Sequence, residues 1–199
     1  MKKLHKDNLF CWSEFNEERN IDFHSYLWVR ESGNVVIDPL PISQHDLMHL
    51  RALGPLKYIL ITNSDHIRDA GALKELTGAE ILGPSQEKNS FPLPCSQWIS
   101  ESFDGIEELE VIELSGSKTK GELAFLIEGK TLVTGDLIRA HEGGRLCLLP
   151  DGKLKDKAAA KKSVEKLLFL KGVEAVLPGD GWPIFTEGER ALQDLLARL

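Results

Sequence analysis

The sequence is poor in cysteine and has no long hydrophobic run. Its 199 residues include three cysteines, Cys11, Cys95 and Cys147, which lie far apart and form no Cys-x-x-Cys pair. Such a pattern is typical of reduced thiols and argues against a disulfide scaffold or a zinc-thiolate site. No segment approaches the roughly 20 apolar residues that cross a bilayer, so the sequence predicts neither a membrane-spanning helix nor a membrane partner.

Basic residues are also in the minority. The 24 Lys and Arg are outnumbered by 31 Asp and Glu, which gives a formal net charge of −7. Because nucleic acids are bound through a basic face, this balance argues against a nucleic-acid partner. The basic start Met1-Lys2-Lys3 is not followed by the apolar segment of a signal peptide. Together with the reduced cysteines, these features lead us to expect a cytoplasmic protein.

No linker, charge block or low-complexity stretch divides the chain, and we expect a single domain over residues 1–199. Short apolar runs and helical patterns follow one another along the chain, which indicates a buried sheet covered by helices and an α/β fold. Strands are predicted at 24–30, 34–38, 58–62, 79–82, 109–114, 123–128, 131–134 and 173–177, and helices at 43–53, 68–77, 157–171 and 187–199. Residues 85–103 show no clean period and are predicted to be irregular.

Three of the predicted strands end in polar, glycine-bearing or carboxylate-bearing loops. These loops contain Asp65, Asp136 and Asp180. Ligands in α/β proteins bind in loops after the carboxyl ends of buried strands, where rigid strands position polar groups. Three aspartates at one rim predict either a cation site or a network of salt bridges. A serine or cysteine triad is unsupported, because the sequence has no Gly-x-Ser-x-Gly elbow and no cysteine close to a histidine in the chain.

The loop after the strand at 58–62 reads Thr62-Asn63-Ser64-Asp65-His66-Ile67-Arg68. It resembles the Thr-His-x-His-x-Asp-His motif of the metallo-β-lactamase superfamily. Four further segments resemble that family in the same order and spacing: Ile37-Asp38-Pro39, Ser117-Lys118-Thr119-Lys120-Gly121-Glu122, Thr134-Gly135-Asp136 and residues 163–181. The resemblance implies a four-layer αβ/βα sandwich, with two facing sheets, helices outside and the site at one edge.

The metal ligands of the family do not carry over. Five of its histidine positions are occupied by Asn63, Asp65, Arg68, Lys118 and Asp180. The aspartate of the family's first motif is replaced by Ile67, and only the bridging aspartate is retained, as Asp136. His66 is present one place beyond the family's second histidine, and the sequence leaves open whether it points inward, caps the next helix or lies half-exposed.

These replacements predict a site without dinuclear zinc. Zinc prefers three or four imidazole, thiolate or carboxylate ligands, whereas Lys118 and Arg68 are cations that only donate hydrogen bonds. A unit positive charge about 4 Å from a divalent metal costs on the order of 8 kcal/mol at an effective dielectric constant of about 20. We therefore expect Lys118 and Arg68 to take over the metal's charge by pairing with Asp65, Asp136 and Asp180.

The leading hypothesis is a hydrolase-like protein with a degenerate metal site, a pseudoenzyme, that binds a small polar or anionic ligand and needs no cofactor. Its pocket is predicted to contain Asn63, Asp65, His66, Arg68, Lys118, Asp136 and Asp180. His66 and Asp136 are the candidate catalytic residues, neither assigned a role.

Two alternatives remain at this stage. The first is an active hydrolase with a single weakly bound divalent metal on Asp65, His66, Asp136 and Asp180, a set that suits Mn²⁺, Fe²⁺ or Mg²⁺ better than zinc. The second is a scaffold that forms a homodimer or partner surface through Phe91, Trp98 and Phe103.

Overall fold

The computed structural model describes residues 1–199, with 13 strands and four α-helices. The strands are β1 Lys2–Lys3, β2 Leu9–Asn16, β3 Ile21–Trp28, β4 Asn34–Ile37, β5 Leu56–Leu60, β6 Glu80–Pro84, β7 Gln97–Ile99, β8 Leu109–Leu114, β9 Glu122–Ile127, β10 Thr131–Thr134, β11 Ile138–Glu142, β12 Arg145–Leu148 and β13 Ala175–Pro178. The helices are α1 Gln44–Ala52, α2 Ala70–Thr77, α3 Lys157–Leu167 and α4 Gly188–Leu196. No helix is long and apolar enough to cross a membrane.

Two mixed sheets form the centre of the fold. The first has seven strands in chain order, β1 to β7, antiparallel from β1 to β4 and parallel from β4 to β7. The second has four strands in the order β13-β10-β9-β8, of which only β10 and β13 are parallel. A separate pair, β11 and β12, completes the strands.

Three clusters of buried apolar side chains fill the spaces between the layers. The central cluster joins inward side chains of both sheets, such as Trp28, Leu60, Phe125 and Leu177. A second cluster packs α1 and α2 on the outer face of the seven-stranded sheet, and a third packs α3 and α4 on the outer face of the four-stranded sheet. The predicted sandwich of two facing sheets with helices outside is confirmed.

Several local predictions agree with the structure. The Ser43 hydroxyl accepts a hydrogen bond from the Asp46 backbone N–H and caps α1, as its position before the helix predicts. Gly78 ends α2 in the left-handed conformation. The hairpin between β9 and β10 turns at Glu128 and Gly129, which have φ of 52° and 64°, as a tight hairpin with two left-handed residues requires.

Other local predictions are wrong. Strands β1, β2, β11 and β12 were not predicted, because β2 has a continuous apolar start without alternation and β11 carries charged residues beside the Gly143-Gly144 turn. Helix α3 ends at Leu167, short of the predicted residue 171.

Residues 85–103 contain the short edge strand β7. Phe91 and Trp98 pack edge-to-face with their ring centroids 5.5 Å apart, and Phe103 is packed against the central cluster. All three are half-buried.

The loop after β13 is held by backbone hydrogen bonds to both sheets. The Gly181 N–H donates to Asp22 O at 2.8 Å, and the His24 N–H donates to Gly179 O at 2.9 Å. On the other side, the Ala140 N–H of β11 donates to Asp180 O at 3.1 Å. These main-chain contacts place Asp180 between β3 and β11.

Gly181→Ala should disrupt this loop. Gly181 has φ of 90°, and a Cβ atom there would lie 2.1 Å from the Ala140 carbonyl oxygen. We expect a loss of about 3 kcal/mol in the free energy of unfolding, measured by urea denaturation, from backbone strain and overlap together. Gly144→Ala is the matched control, since Gly144 has φ of 78° but no atom within 4 Å of its Cβ position. Equal losses in the two variants would contradict the close approach of Gly181 to Ala140.

Candidate functional site

The structure brings the predicted site residues together at the edge of the sandwich where both sheets end. Their loops follow β5, β8, β10 and β13. Asn63, His66, Asp136 and Asp180 are at most 3% exposed. Asp65 and Lys118 reach the solvent, with side chains 50% and 25% exposed. The site therefore has a buried interior and a charged, solvent-exposed mouth formed by the side chains of Asp65 and Lys118.

Lys118 bridges two of the aspartates. Its Nζ atom lies 2.8 Å from Asp65 Oδ2 and 3.0 Å from Asp136 Oδ1. Burial acts to lower the pKa of Lys118, but the two carboxylates outweigh it and raise the pKa above its ordinary value. The Lys118 side chain is thus charged. It pairs with Asp65 and Asp136, as the sequence argument predicted.

Asp180 is paired with two arginines. Its Oδ2 atom lies 2.7 Å from Arg139 Nη2, and its Oδ1 atom lies 3.4 Å from Arg68 Nη2. Arg139 is on β11, a strand that the sequence did not predict, so its part in the site was missed. A charged residue flanked by Ile138 and Ala140, both buried, is the signal that could have indicated it.

Arg68 lies inside the site and not on a solvated helix face. Its φ is 45°, a left-handed conformation immediately before α2. Its guanidinium donates to the carbonyl oxygens of His24, Asp38 and Gly179 and stacks 5.6 Å from the centroid of the Phe23 ring. The side chain therefore connects the loop after β13 to the middle of β3 and to the end of β4.

His66 points inward and is 3% exposed. Its Nδ1 atom lies 2.7 Å from Asp38 Oδ2, and its Nε2 atom lies 3.5 Å from Asp136 Oδ2 and 3.8 Å from Asp180 Oδ1. Burial and the charge of Arg68 act to lower the pKa of His66, but Asp136 and Asp38 more than reverse this and raise it to about 10. The three carboxylates therefore stabilise the protonated, imidazolium form of His66.

The backbone leaves little room around His66. A Cβ atom on Gly179 would lie 2.7 Å from His66 Cε1, and one on Gly135 would lie 2.7 Å from Thr62 Oγ1. Glycines at these two positions allow the loops after β10 and β13 to pack directly on the loop after β5.

His66, Asp136 and Asp180 are the residues that could hold a metal. One ligand atom from each lies within 4.8 Å of the others. Asp136 Oδ2 is buried and makes no hydrogen bond. Burial acts to raise the pKa of Asp136, whereas His66 and Lys118 lower it, and the net result is a pKa well below the ordinary range. Asp65, the fourth ligand in the single-metal hypothesis, lies outside this group and pairs with Lys118.

Glu122 is a buried member of the site that the sequence did not single out. It stands at the last position of the segment 117–122, is fully buried, and accepts hydrogen bonds from the Ser117 hydroxyl and from the Leu137 N–H. Burial first, and the negative charge of Asp136 second, raise the pKa of Glu122 from 4.5 to about 8. The carboxyl group is therefore mostly protonated at neutral pH.

Glu122→Gln should change how stability depends on pH. The folded protein keeps a proton that the unfolded chain loses above pH 4.5, so the parent loses stability as the pH rises from 4.5 to about 8. Because glutamine does not titrate, the variant should gain on the parent over this range by up to ~1.4 kcal/mol per pH unit. Urea denaturation at several pH values measures the difference, with Glu110→Gln on the exposed face of β8 as the control. Parallel pH profiles of parent and variant would contradict the burial argument.

Comparison with known proteins identifies the family from the sequence and gives a matching fold. A family model described as the metallo-beta-lactamase superfamily matches residues 1–199. A hydroxyacylglutathione hydrolase of Pseudomonas aeruginosa is 36% identical over 99 residues, which are 46% of this chain and 36% of that protein. One from Prochlorococcus marinus is 29% identical over 151 residues, 67% of this chain and 59% of that protein. The matched regions thus span about a third to three fifths of these relatives.

The fold comparison covers nearly the whole chain. A metallo-beta-lactamase from Pontibacter korlensis superposes with a TM-score of 0.78, covering 99% of this chain and 98% of that one at 13% sequence identity. An identity this low supports the fold alone. Because the family model matches residues 1–199, the chain belongs to the metallo-beta-lactamase superfamily.

Proposed function

We propose that this chain is a hydrolase-like member of the superfamily in which side-chain cations replace the zinc ions, and that it binds a small polar or anionic ligand. The observation that carries the proposal is the position of Lys118. It stands where the resemblance places a zinc-binding histidine, and its ammonium bridges Asp65 and Asp136. One cation thus pairs with two carboxylates that would otherwise be available to a metal.

The remaining donors also fit dinuclear zinc poorly. Both carboxylate oxygens of Asp180 have an arginine neighbour, Arg139 on one side and Arg68 on the other. A metal there would have to displace or approach two guanidinium groups, which are permanently charged. Asn63, at another histidine position, already uses its Oδ1 atom to accept the Asp65 N–H. This donor set does not fit the family's two-metal centre.

The charges of the site balance without a metal. Four ionised carboxylates, Asp38, Asp65, Asp136 and Asp180, stand against four cations, Arg68, Lys118, Arg139 and the His66 imidazolium. A divalent ion bound through His66 would displace the imidazolium proton, and the one positive charge left in excess would be costly in a largely buried cluster. The balance therefore supports a metal-free protein under ordinary conditions.

The exposure of the side chains supports ligand binding at the mouth of the site. Lys118 and Asp65 are the members with substantial exposure, whereas the side chain of Arg68 is 11% exposed. A polar or anionic group entering from solvent would therefore meet the Lys118 ammonium first.

A second candidate is an active hydrolase with one metal. The observation that favours it is the close approach of the ligand atoms of His66, Asp136 and Asp180, with the buried Asp136 Oδ2 atom free of hydrogen bonds. The relatives named hydroxyacylglutathione hydrolase make a thioester the first substrate class to test. Metal content separates this candidate from the first.

Lys118→Met should destabilise the protein. The substitution keeps most of the aliphatic stem but leaves Asp136, which is 2% exposed, without its ammonium partner. We expect a loss of about 1–4 kcal/mol in the free energy of unfolding at neutral pH. Lys120→Met, an exposed lysine in the same loop, is the matched control. A Lys118 variant as stable as the parent would show that the ammonium does not compensate the buried carboxylate.

Zinc should neither copurify with the protein nor stabilise it. We expect well under one equivalent of metal by elemental analysis, and no shift in melting temperature on adding zinc. A functional site would add about 2.7 kcal/mol at a hundredfold excess of metal over its dissociation constant. Hydrolysis of thioester, lactam and phosphodiester substrates should stay at background.

The reverse experiment restores histidine at Asn63, Asp65 and Lys118 together. This triple variant should acquire zinc binding, because the loops that carry these positions are already in place. A parent protein with stoichiometric metal and an activity lost on chelation would overturn the proposal in favour of the single-metal hydrolase.

A further inference from the structure

The mouth of the site, defined by the side chains of Asp65 and Lys118, presents two opposite charges side by side. Asp65 Oδ2 and Lys118 Nζ are 2.8 Å apart, and these side chains are 50% and 25% exposed. The charged groups behind them, Asp136, Asp180 and Arg139, are at most 5% exposed. A ligand from solvent therefore meets one carboxylate and one ammonium before it meets any other charge.

The two loops that carry Asp65 and Lys118 also contain two buried polar groups without a partner. Asn63 is fully buried, and while its Oδ1 atom accepts the Asp65 N–H at 2.9 Å, its Nδ2 atom has no partner. The hydroxyl of Thr119, the residue after Lys118, is also buried without a partner. An amide NH₂ group can only donate, and a buried donor without an acceptor costs free energy. Oxygen atoms of a ligand beside Lys118 could satisfy both groups once the contact between Asp65 and Lys118 opens.

We propose that the mouth binds a small zwitterion of the α-amino-acid type. The ligand carboxylate accepts hydrogen bonds from Lys118 Nζ, Asn63 Nδ2 and the Thr119 hydroxyl. The ligand ammonium pairs with Asp65, which gives up its contact with Lys118. Asp136 keeps its contact with Lys118 throughout. This inference rests on the proposed ligand-binding function and names the class of ligand.

Ligands with a single charge satisfy only half of the mouth. A simple carboxylate could pair with Lys118, but it would displace Asp65 and leave that side chain unpaired beside a second negative charge. A simple amine could pair with Asp65, but it would leave the donors of Asn63 and Thr119 without acceptors. Charge-assisted hydrogen bonds are the stronger kind, so a ligand that makes both sets is favoured over one that makes either.

The experiment begins with the twenty common amino acids, each added to the full chain at constant pH and ionic strength while the melting temperature is recorded. The dissociation constant of the best binder is then measured by calorimetry beside its deaminated acid and its decarboxylated amine. We expect the amino acid to bind at least about tenfold more tightly than either analogue, equivalent to ~1.4 kcal/mol.

Variants assign the two ends of the ligand. Asp65→Asn removes the partner of the ammonium at a half-exposed position, so the amino acid should then bind no more tightly than its deaminated acid. Lys118→Met should remove binding of both. Lys120→Met, in the same loop, should change neither dissociation constant.

Two results would overturn the inference. One is that no amino acid raises the melting temperature. The other is that the deaminated acid binds as tightly as the amino acid and Asp65→Asn has no effect on their ratio. The second result leaves the proposed anion binding in place, whereas stoichiometric zinc in the isolated protein would count against the proposed function itself.

Discussion

The geometry of the site depends on the contacts of the Asp38 carboxylate with Thr62 and His66. At the end of β4, with φ of 49°, Asp38 accepts the Thr62 N–H at 2.8 Å and the Thr62 hydroxyl at 2.6 Å. Its Oδ2 atom also lies 2.7 Å from His66 Nδ1. One buried carboxylate thus joins the ends of β4 and β5 and directs the other nitrogen of His66 towards Asp136 and Asp180 on the opposite sheet.

The ion pairs that follow connect loops of the two sheets. Arg68, before α2, meets Asp180 after β13, and Lys118, after β8, meets Asp65 after β5. A metal bound by the same loops would join them in the same way. Buried ion pairs add little net stability compared with apolar packing, because desolvation offsets the attraction between charges. Their effect is to make one arrangement of the loops much better than others, since any displacement leaves a buried charge unpaired.

The sequence predicted the fold and most of the members of the site, for reasons that depend on order along the chain. The motif at Thr62, the segment at Ser117 and the loop at Gly135 lie in the family's order, which is enough to bring Lys118 to Asp136. Arg139 and Glu122 were missed because neither replaces a family ligand. Their roles depend on strand direction and burial. Strand β11 was not predicted, and Glu122 follows a glycine in what looked like a turn. The inward direction of His66 also required coordinates, because it depends on Asp38, 28 residues away.

The two halves of the site differ in what they can do. The half with Asp180, Arg68 and Arg139 is held by main-chain contacts and by two guanidinium groups, with side chains at most 11% exposed. Binding there would require several buried charges to separate at once. The half with Asn63, Asp65 and Lys118 opens to solvent, and its contact between Asp65 and Lys118 can separate at much lower cost. Whatever chemistry the protein retains should therefore involve the Lys118 half, while the Asp180 half keeps the loops in place without a metal.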